Sequence, residues 1–372
     1  MAVRDKRVMK PKGAQPRSAY YRRSPFLVSY WKDNFLLFVN YLTGKVVAAS
    51  PETAALLDCF GSWQTIEATC RRWPQYTARS MRISVRQLTQ ETLLETASQK
   101  NLKGTQKVRS LQQWREWNPA AGFFHMSTKD TYAEKITKEE IQYIEGLMEG
   151  RAASLALEQR PRTKLIRLNS GGRSSEFSEV LRQRRTWREF SRRNVSAEAF
   201  CTLLDLSFGV QHWEKVKKLG KLAQKTSPSG GSLHPLEAYL MVRKVEGVSP
   251  GIYHYDSAGR GLQVVRRGVT AGEIQKYLVG QWWFRDAAFV VFLTAVFGRT
   301  QWKYDYPRAY RAILIEAGHL CQTFCLTATW LGLAPFCTIA MADTMIEKAL
   351  KVDGISESVI YAMGAGVKPR KK

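Results

Sequence analysis

Acidic residues, histidine and cysteine are all scarce in this chain. Against 57 lysines and arginines stand 32 aspartates and glutamates, which leaves a formal charge of +25 over 372 residues. Five histidines and six cysteines offer little material for a metal centre. The cysteines are Cys59, Cys70, Cys201, Cys321, Cys325 and Cys337; none forms a CxxC pair, and most lie in apolar stretches. That spacing argues against a disulfide framework and against zinc, so no metal is expected. The six read as reduced, buried thiols of a cytoplasmic protein. The longest apolar run, Ala287 to Gly298, has 12 residues, short of the ~20 that a membrane-spanning helix needs. The basic N-terminus, MAVRDKRVMKPKGAQPR, lacks the apolar segment of a secretory signal. A soluble, cytoplasmic protein with no membrane partner is the expectation.

What is present points to a folded chain. Hydrophobic residues make up 44% and aromatics 11%, and the length suits two domains. Residues 1–110 hold 19 basic and 7 acidic residues, or +12, so the remaining +13 is spread over more than twice the length. Such a field attracts nucleic acid, acidic peptides, anionic lipid or phosphorylated cofactors. Solubility and a mobile basic tail over residues 1–24 are the plainer alternative.

After that tail, Phe35–Val39 and Val46–Ala49 flank a Leu-Thr-Gly-Lys turn, the pattern of a β-hairpin. Ser50-Pro51-Glu52 starts a helix that Gly61 closes, and further helices are predicted near Thr65–Arg72 and Val85–Thr96. Strands followed by three short helices form a small winged-helix-like domain over residues 25–100. Residues 101–173 read as a connector, with Trp114, Trp117, Phe123 and Phe124 packed, a helix over Lys138–Gly150, and Gly171-Gly172 at the entry to a new domain. The second domain, residues 174–372, mixes helices capped by Ser175 and Ser196 with strands at Ala238–Val245, Ile252–Tyr255, Leu262–Val265, Ala288–Val296 and Val359–Met363. Ala309–Trp330 is a long helix, mostly apolar on every side, hence central, and Met341–Leu350 is another helix. The fold class is α+β.

Five segments carry chemistry. In Arg184-Arg185-Thr186-Trp187-Arg188, alternate residues of an extended strand face one side, and two guanidiniums with a hydroxyl can grip a phosphate; a solvated basic face is the bland reading. Ser227-Pro228-Ser229-Gly230-Gly231-Ser232-Leu233-His234-Pro235-Leu236-Glu237 lets backbone approach a flat ring, or is an ordinary Gly-rich loop; its spacing is not that of a Walker loop. Lys303-Tyr304, close after a buried strand, can supply a proton acceptor and donor. Glu316 and His319 share a helix face at i,i+3 and read as a buried, satisfied pair, and Cys321 and Cys325 at i,i+4 read as core. Lys368 and Arg370 follow Gly364-Ala365-Gly366 and can complete a phosphate site or lie in a solvated tail.

Taken in order, RRTWREF, PSGGSLHPLEAYL, GIYHYD, WKYDYPRAYR, IEAGHLCQTFCLTATWLGL and the GxGVKPR tail resemble the SagB-type (thiazoline/oxazoline) dehydrogenase branch of the nitroreductase family, over about residues 180–370. The resemblance implies a nitroreductase-like α+β sandwich that dimerises around FMN. Arg184, Arg185, Thr186, Arg188, Lys368 and Arg370 would then hold the phosphate and ribityl chain. Pro228, Ser229, Gly230 and Ser232 would contact the ring or ribityl groups, and Thr338, Ile339 and Ala340 would bring backbone to its redox edge. Many nitroreductases have Glu-Gly where this chain has Ile339-Ala340, and Thr186 stands for the more usual Ser. The implied reaction is two-electron oxidation of thiazoline or oxazoline to azole in a ribosomally made peptide, with Lys303 as base and Tyr304 relaying the proton. FMN does the redox work and the protein supplies placement.

The N-terminal domain resembles the winged-helix-like peptide-clamp domain of peptide-maturation enzymes, which binds leader peptides by strand addition. Leader peptides are often acidic, which suits the +12 front. The partners so implied are a precursor peptide, the cyclodehydratase of the same pathway and a second copy of the chain. Two other functions stand beside this one. An NAD(P)H-dependent nitro or quinone reductase needs the same flavin site. A DNA-binding regulator with a flavin sensor needs the winged helix and basic flank, but lacks an identifiable base-reading helix, so nucleic acid is not expected.

Overall fold

Aromatic and β-branched residues between short turns build the front of the chain into strands. The computed structural model describes residues 19–98, 114, 117–130, 174–217 and 220–369. Most of the expected tail and of the 101–173 connector, with its Lys138–Gly150 helix and Gly171-Gly172, lies outside those residues. The chain divides into two units, Met1–Ser127 and Thr128–Lys372.

In the first unit β1 is Ala19–Arg23, β2 Leu27–Lys32, β3 Phe35–Asn40 and β4 Lys45–Ala49. Strands β2, β3 and β4 form an antiparallel meander, and Gly44 takes the left-handed φ of +72° that its tight turn requires. Helix α1 is Pro51–Asp58, α2 Ile66–Arg72 and α3 Ala78–Gln90. Ser50 and Pro51 hold the expected start positions of α1, though Ser50 makes no side-chain cap bond. Thr65 and Thr77 do cap α2 and α3. The helix predicted near Val85–Thr96 is displaced. Thr77 starts it seven residues earlier, Thr92 turns the chain at φ +60°, and β5, Leu94–Ser98, pairs antiparallel with β1. Helix α4 is Asn118–Thr128, with Phe123 against Tyr30 and Tyr41. Trp114 and Trp117 are buried edge to face, while Phe124 is exposed. Tyr21, Leu57, Phe60, Met81, Val85 and Leu93 make the core.

The second unit opens with α5, Glu176–Gln183, and α6, Ala197–Phe208. Ser175 and Ser196 cap them as expected. A hairpin that the sequence reading missed follows, β6 His212–Val216 and β7 Gly220–Gln224. Then come β8 Leu236–Val242, β9 Gly251–Asp256, β10 Gly261–Arg267, α7 Ala271–Tyr277, β11 Phe289–Val296, α8 Gly298–Gln301 and α9 Arg308–Trp330. Strand β12, Leu333–Thr338, α10, Asp343–Leu350, and β13, Glu357–Val367, complete it. Gly364-Ala365-Gly366 therefore belongs to the last strand and not to a tail.

Six strands form one antiparallel sheet in the order β10-β9-β8-β11-β13-β12. Central β11 is buried on both faces, so it reads as one apolar run. Its alternate residues serve two cores. Phe289 meets Phe200 of α6 and Phe324 of α9 edge to face, whereas Val290 and Phe292 join Ile274 of α7 and Ile346 and Leu350 of α10. Helix α9 is not covered on every side: Ile315, His319 and Gln322 are exposed on the face turned from the sheet. No helix among the described residues is long and apolar enough to cross a membrane.

Candidate functional site

The loop from Ser227 to Pro235 joins β7 to β8, and three of its residues have left-handed backbone: Gly231 at φ +69°, Ser232 at +53° and His234 at +43°. Two non-glycine residues in that region store strain, which the surroundings must offset. Ser229 supplies much of the hold. Its hydroxyl accepts the His234 N–H at 2.9 Å and donates to Glu316 Oε2 on α9 at 2.7 Å. Ser227 bonds Thr323 of the same helix at 2.7 Å. The loop is thereby pinned to the central helix at two points.

Its other side faces the lysine–tyrosine pair. A Cβ placed on Gly231 would stand 2.7 Å from Lys303 Nζ and 2.8 Å from the Tyr304 hydroxyl, so glycine suits its φ and any side chain there would push the tips of the pair aside. The Lys303 ammonium lies 5.3 Å over the Tyr304 ring. Lys303 is exposed and Tyr304 half-buried. The pair does not sit directly at the strand exit: the single turn of α8 intervenes, and Tyr304 N–H bonds Thr300 O.

Beneath the loop is a cluster of titratable groups. Burial pushes the Glu316 carboxyl up to about 7, while the Ser229 hydroxyl and the Lys225 charge pull the other way. Burial and the Lys225 charge push His234 down to about 4. His234 Nδ1 lies 4.0 Å from Glu316 Oε1, and a histidine held that low is uncharged at neutral pH, so the contact is not an ion pair there. Burial also pushes Lys225 below its ordinary value. Burial opposes the Glu237 carboxylate, but bonds from His254 at 2.8 Å and Arg299 at 2.5 Å outweigh it and hold it down. Glu316 does not pair with His319, which is exposed on α9; its partner is Ser229, 87 positions away. Lys225, Arg299 and His254 went unnoticed in the sequence because they sit on separate elements with no fixed spacing.

The arginine segment follows α5 and lies along β12: Trp187 N–H bonds Pro335 O at 2.9 Å, and Ser191 N–H bonds Val367 O at 2.9 Å. Arg184 and Thr186 are half-buried and Arg188 is exposed. Arg185 turns back, donating to the carbonyls of Arg182 and Arg184 at 2.6 and 2.8 Å, where it caps α5. Lys368 places its ammonium 5.7 Å over the Trp187 ring, so the end of β13 joins the arginine segment. Arg370 lies outside the described residues. At the end of β12 the Thr338 hydroxyl accepts the Ala340 N–H, and Gln281 holds the Ala340 carbonyl at 2.9 Å, leaving Ile339 65% exposed. The structure thus groups Ser229–Ser232 with Lys303 and Tyr304, and Trp187 with Lys368.

Residues 181–367 match the nitroreductase family. A protein of Methanocaldococcus jannaschii described as a nitroreductase, MJ1384, is 29% identical over 177 residues, which is 48% of this chain and 85% of that protein. The trifolitoxin-processing protein TfxB of Rhizobium leguminosarum bv. trifolii is 29% identical over 147 residues, 38% of this chain and 39% of TfxB. The microcin B17-processing protein McbC of Escherichia coli is 28% identical over 138 residues, 34% of this chain and 48% of McbC. The chain spans less than half the length of each processing protein.

Proposed function

The chain belongs to the nitroreductase family, and on that premise we propose that it is an FMN-dependent dehydrogenase that oxidises thiazoline or oxazoline rings to azoles in a ribosomally made peptide. The observation that carries this reading is the meeting of the glycine loop with Lys303 and Tyr304 across Gly231. The residues fit a flavin: the loop is kept free of side-chain bulk beside a donor and an acceptor, and Lys368 lies over Trp187 in the arginine segment. Arg184, Thr186, Arg188 and Lys368 would hold the phosphate and ribityl chain, with Ser229, Gly230 and Ser232 at the ring and Thr338, Ile339 and Ala340 at its edge. When bound, FMN would take up the two electrons that the azoline gives up.

The chain's own residues do the rest. The Lys303 amine takes the proton from the ring carbon, and the adjacent Tyr304 hydroxyl orients it and passes the proton to solvent. Ser229 and Glu316 keep the loop fixed while this happens.

Similarity to two peptide-processing proteins supports a peptide substrate. The exposed Trp31 on edge strand β2 of the β2-β3-β4 sheet supports capture of a leader by strand addition to the first unit. A cyclodehydratase must form the azoline first. Exposed Phe177, Leu181, Ile315 and Trp330 on α5 and α9 support a homodimer. The similarity to MJ1384, which covers most of that protein, favours one other reading, an NAD(P)H-dependent reductase.

The test is the absorbance spectrum of the purified chain and identification of the released chromophore. One FMN per chain is expected. A colourless chain that also refuses added FMN overturns the proposal.

A further inference from the structure

Three thiols from separate turns of the fold converge on one point. Cys321 and Cys325 are one helical turn apart on the buried face of α9, and Cys337 lies on β12 where that helix packs. Their sulfurs all lie within 4.8 Å of one another. Cys337 pairs in register with Met363 of β13. Tyr361, two residues before Met363, therefore shares that face, and its side chain is near Cys337 and Cys321. The Arg184 charge acts on Cys325 and Cys337. None of the three thiols has a place in the azoline chemistry.

We propose that Cys321, Cys325 and Cys337 form a binding site for a single thiophilic d10 cation, zinc foremost, with the Tyr361 hydroxyl beside the fourth position. Three sulfurs at ~2.3 Å from one ion stand about 3.8 Å apart, so the side chains need close by only about 1 Å. Helix and strand hold the sulfurs on a rigid frame, which lowers the cost of gathering them. Thiolate ligands select soft or borderline ions over magnesium or calcium. The spacing hid this site, because Cys321 and Cys325 at i,i+4 resemble core and Cys337 belongs to another element. The site stands whether or not the chain binds FMN.

The experiment titrates the reduced, full chain anaerobically with Cd2+ in place of zinc and follows thiolate-to-metal charge transfer in the ultraviolet. One Cd2+ per chain should saturate the signal, and a chain first loaded with Zn2+ should release that zinc as cadmium binds. Cys201→Ser, which changes an exposed thiol, should leave the titration unchanged, while Cys337→Ser and Cys321→Ser should each weaken binding at least tenfold. X-ray absorption on the cadmium-loaded wild-type chain counts the sulfurs without any variant. Three sulfurs are expected; fewer than three, or a signal that survives Cys337→Ser, overturns the proposal.

Discussion

The Ser229 hydroxyl donates to the Glu316 carboxylate at 2.7 Å, tying a strained loop to the central helix across 87 positions of sequence. Because Glu316 is buried and titrates near neutrality, this bond links loop geometry to pH. Its proton is also held more tightly in the folded chain than in the unfolded one.

A carboxyl raised from 4.5 to about 7 contributes stability that is fully present below pH 4.5 and is lost as pH rises through about 7. The whole effect is about 3 kcal/mol. Glu316→Gln removes it. The unfolding free energy of the wild type, minus that of the variant, should fall by up to about 3 kcal/mol between pH 4.5 and about 8 in denaturant titrations. A difference that stays flat with pH contradicts the burial of this group.

Gly231→Ala should damage turnover before it damages folding. The added Cβ meets Lys303 Nζ and the Tyr304 hydroxyl, and the residue keeps a φ of +69°. Stability should drop by about 1 kcal/mol, and turnover by at least ~10-fold, since the pair is displaced from its place by the loop. Rates and thermal melts on the same preparation check both.

Lys303→Ala should keep bound FMN and lose turnover, whereas Arg184→Ala with Arg188→Ala should lose FMN. Two charge-assisted contacts to a phosphate are together worth roughly 100-fold in affinity or more. Fluorescence titration with FMN separates the two variants. Full turnover in Lys303→Ala means that another group takes the proton.

Lys129 and Glu347 form an ion pair at 2.6 Å with side-chain exposures of 14% and 6%. Lys129→Ala removes the counter-charge of a buried carboxylate, leaving it only the Ser358 hydroxyl, and should cost about 3 kcal/mol. Denaturant unfolding of the full chain checks this, and a loss under about 1 kcal/mol contradicts the burial of the pair.

Much of the second unit was legible in sequence because its signals are local. Ser175 and Ser196 announce helices, and β11 is a single apolar run between turns. The third helix of the first unit was misplaced because Leu94 and Thr96 are drawn into pairing with β1, a long-range contact that no window reveals. The long helix reads as mostly apolar on every side, since Ile315 and Gly318 look apolar there, yet that face is open. The loop and the Lys303-Tyr304 pair were each visible as motifs; their meeting at Gly231 was not, because 72 positions separate Gly231 from Lys303. Glu316 was assigned the wrong partner for a similar reason. Spacing on one helix names a neighbour, and only the fold brings Ser229 closer.

The most direct test of the central claim mixes the FMN-loaded chain with an azoline-containing peptide under anaerobic conditions. The account predicts bleaching of the flavin absorbance together with the loss of two hydrogens from the peptide by mass spectrometry, both absent in Lys303→Ala. Bleaching by NADPH alone, with the azoline peptide unchanged, would contradict it and make the chain a nicotinamide-dependent reductase.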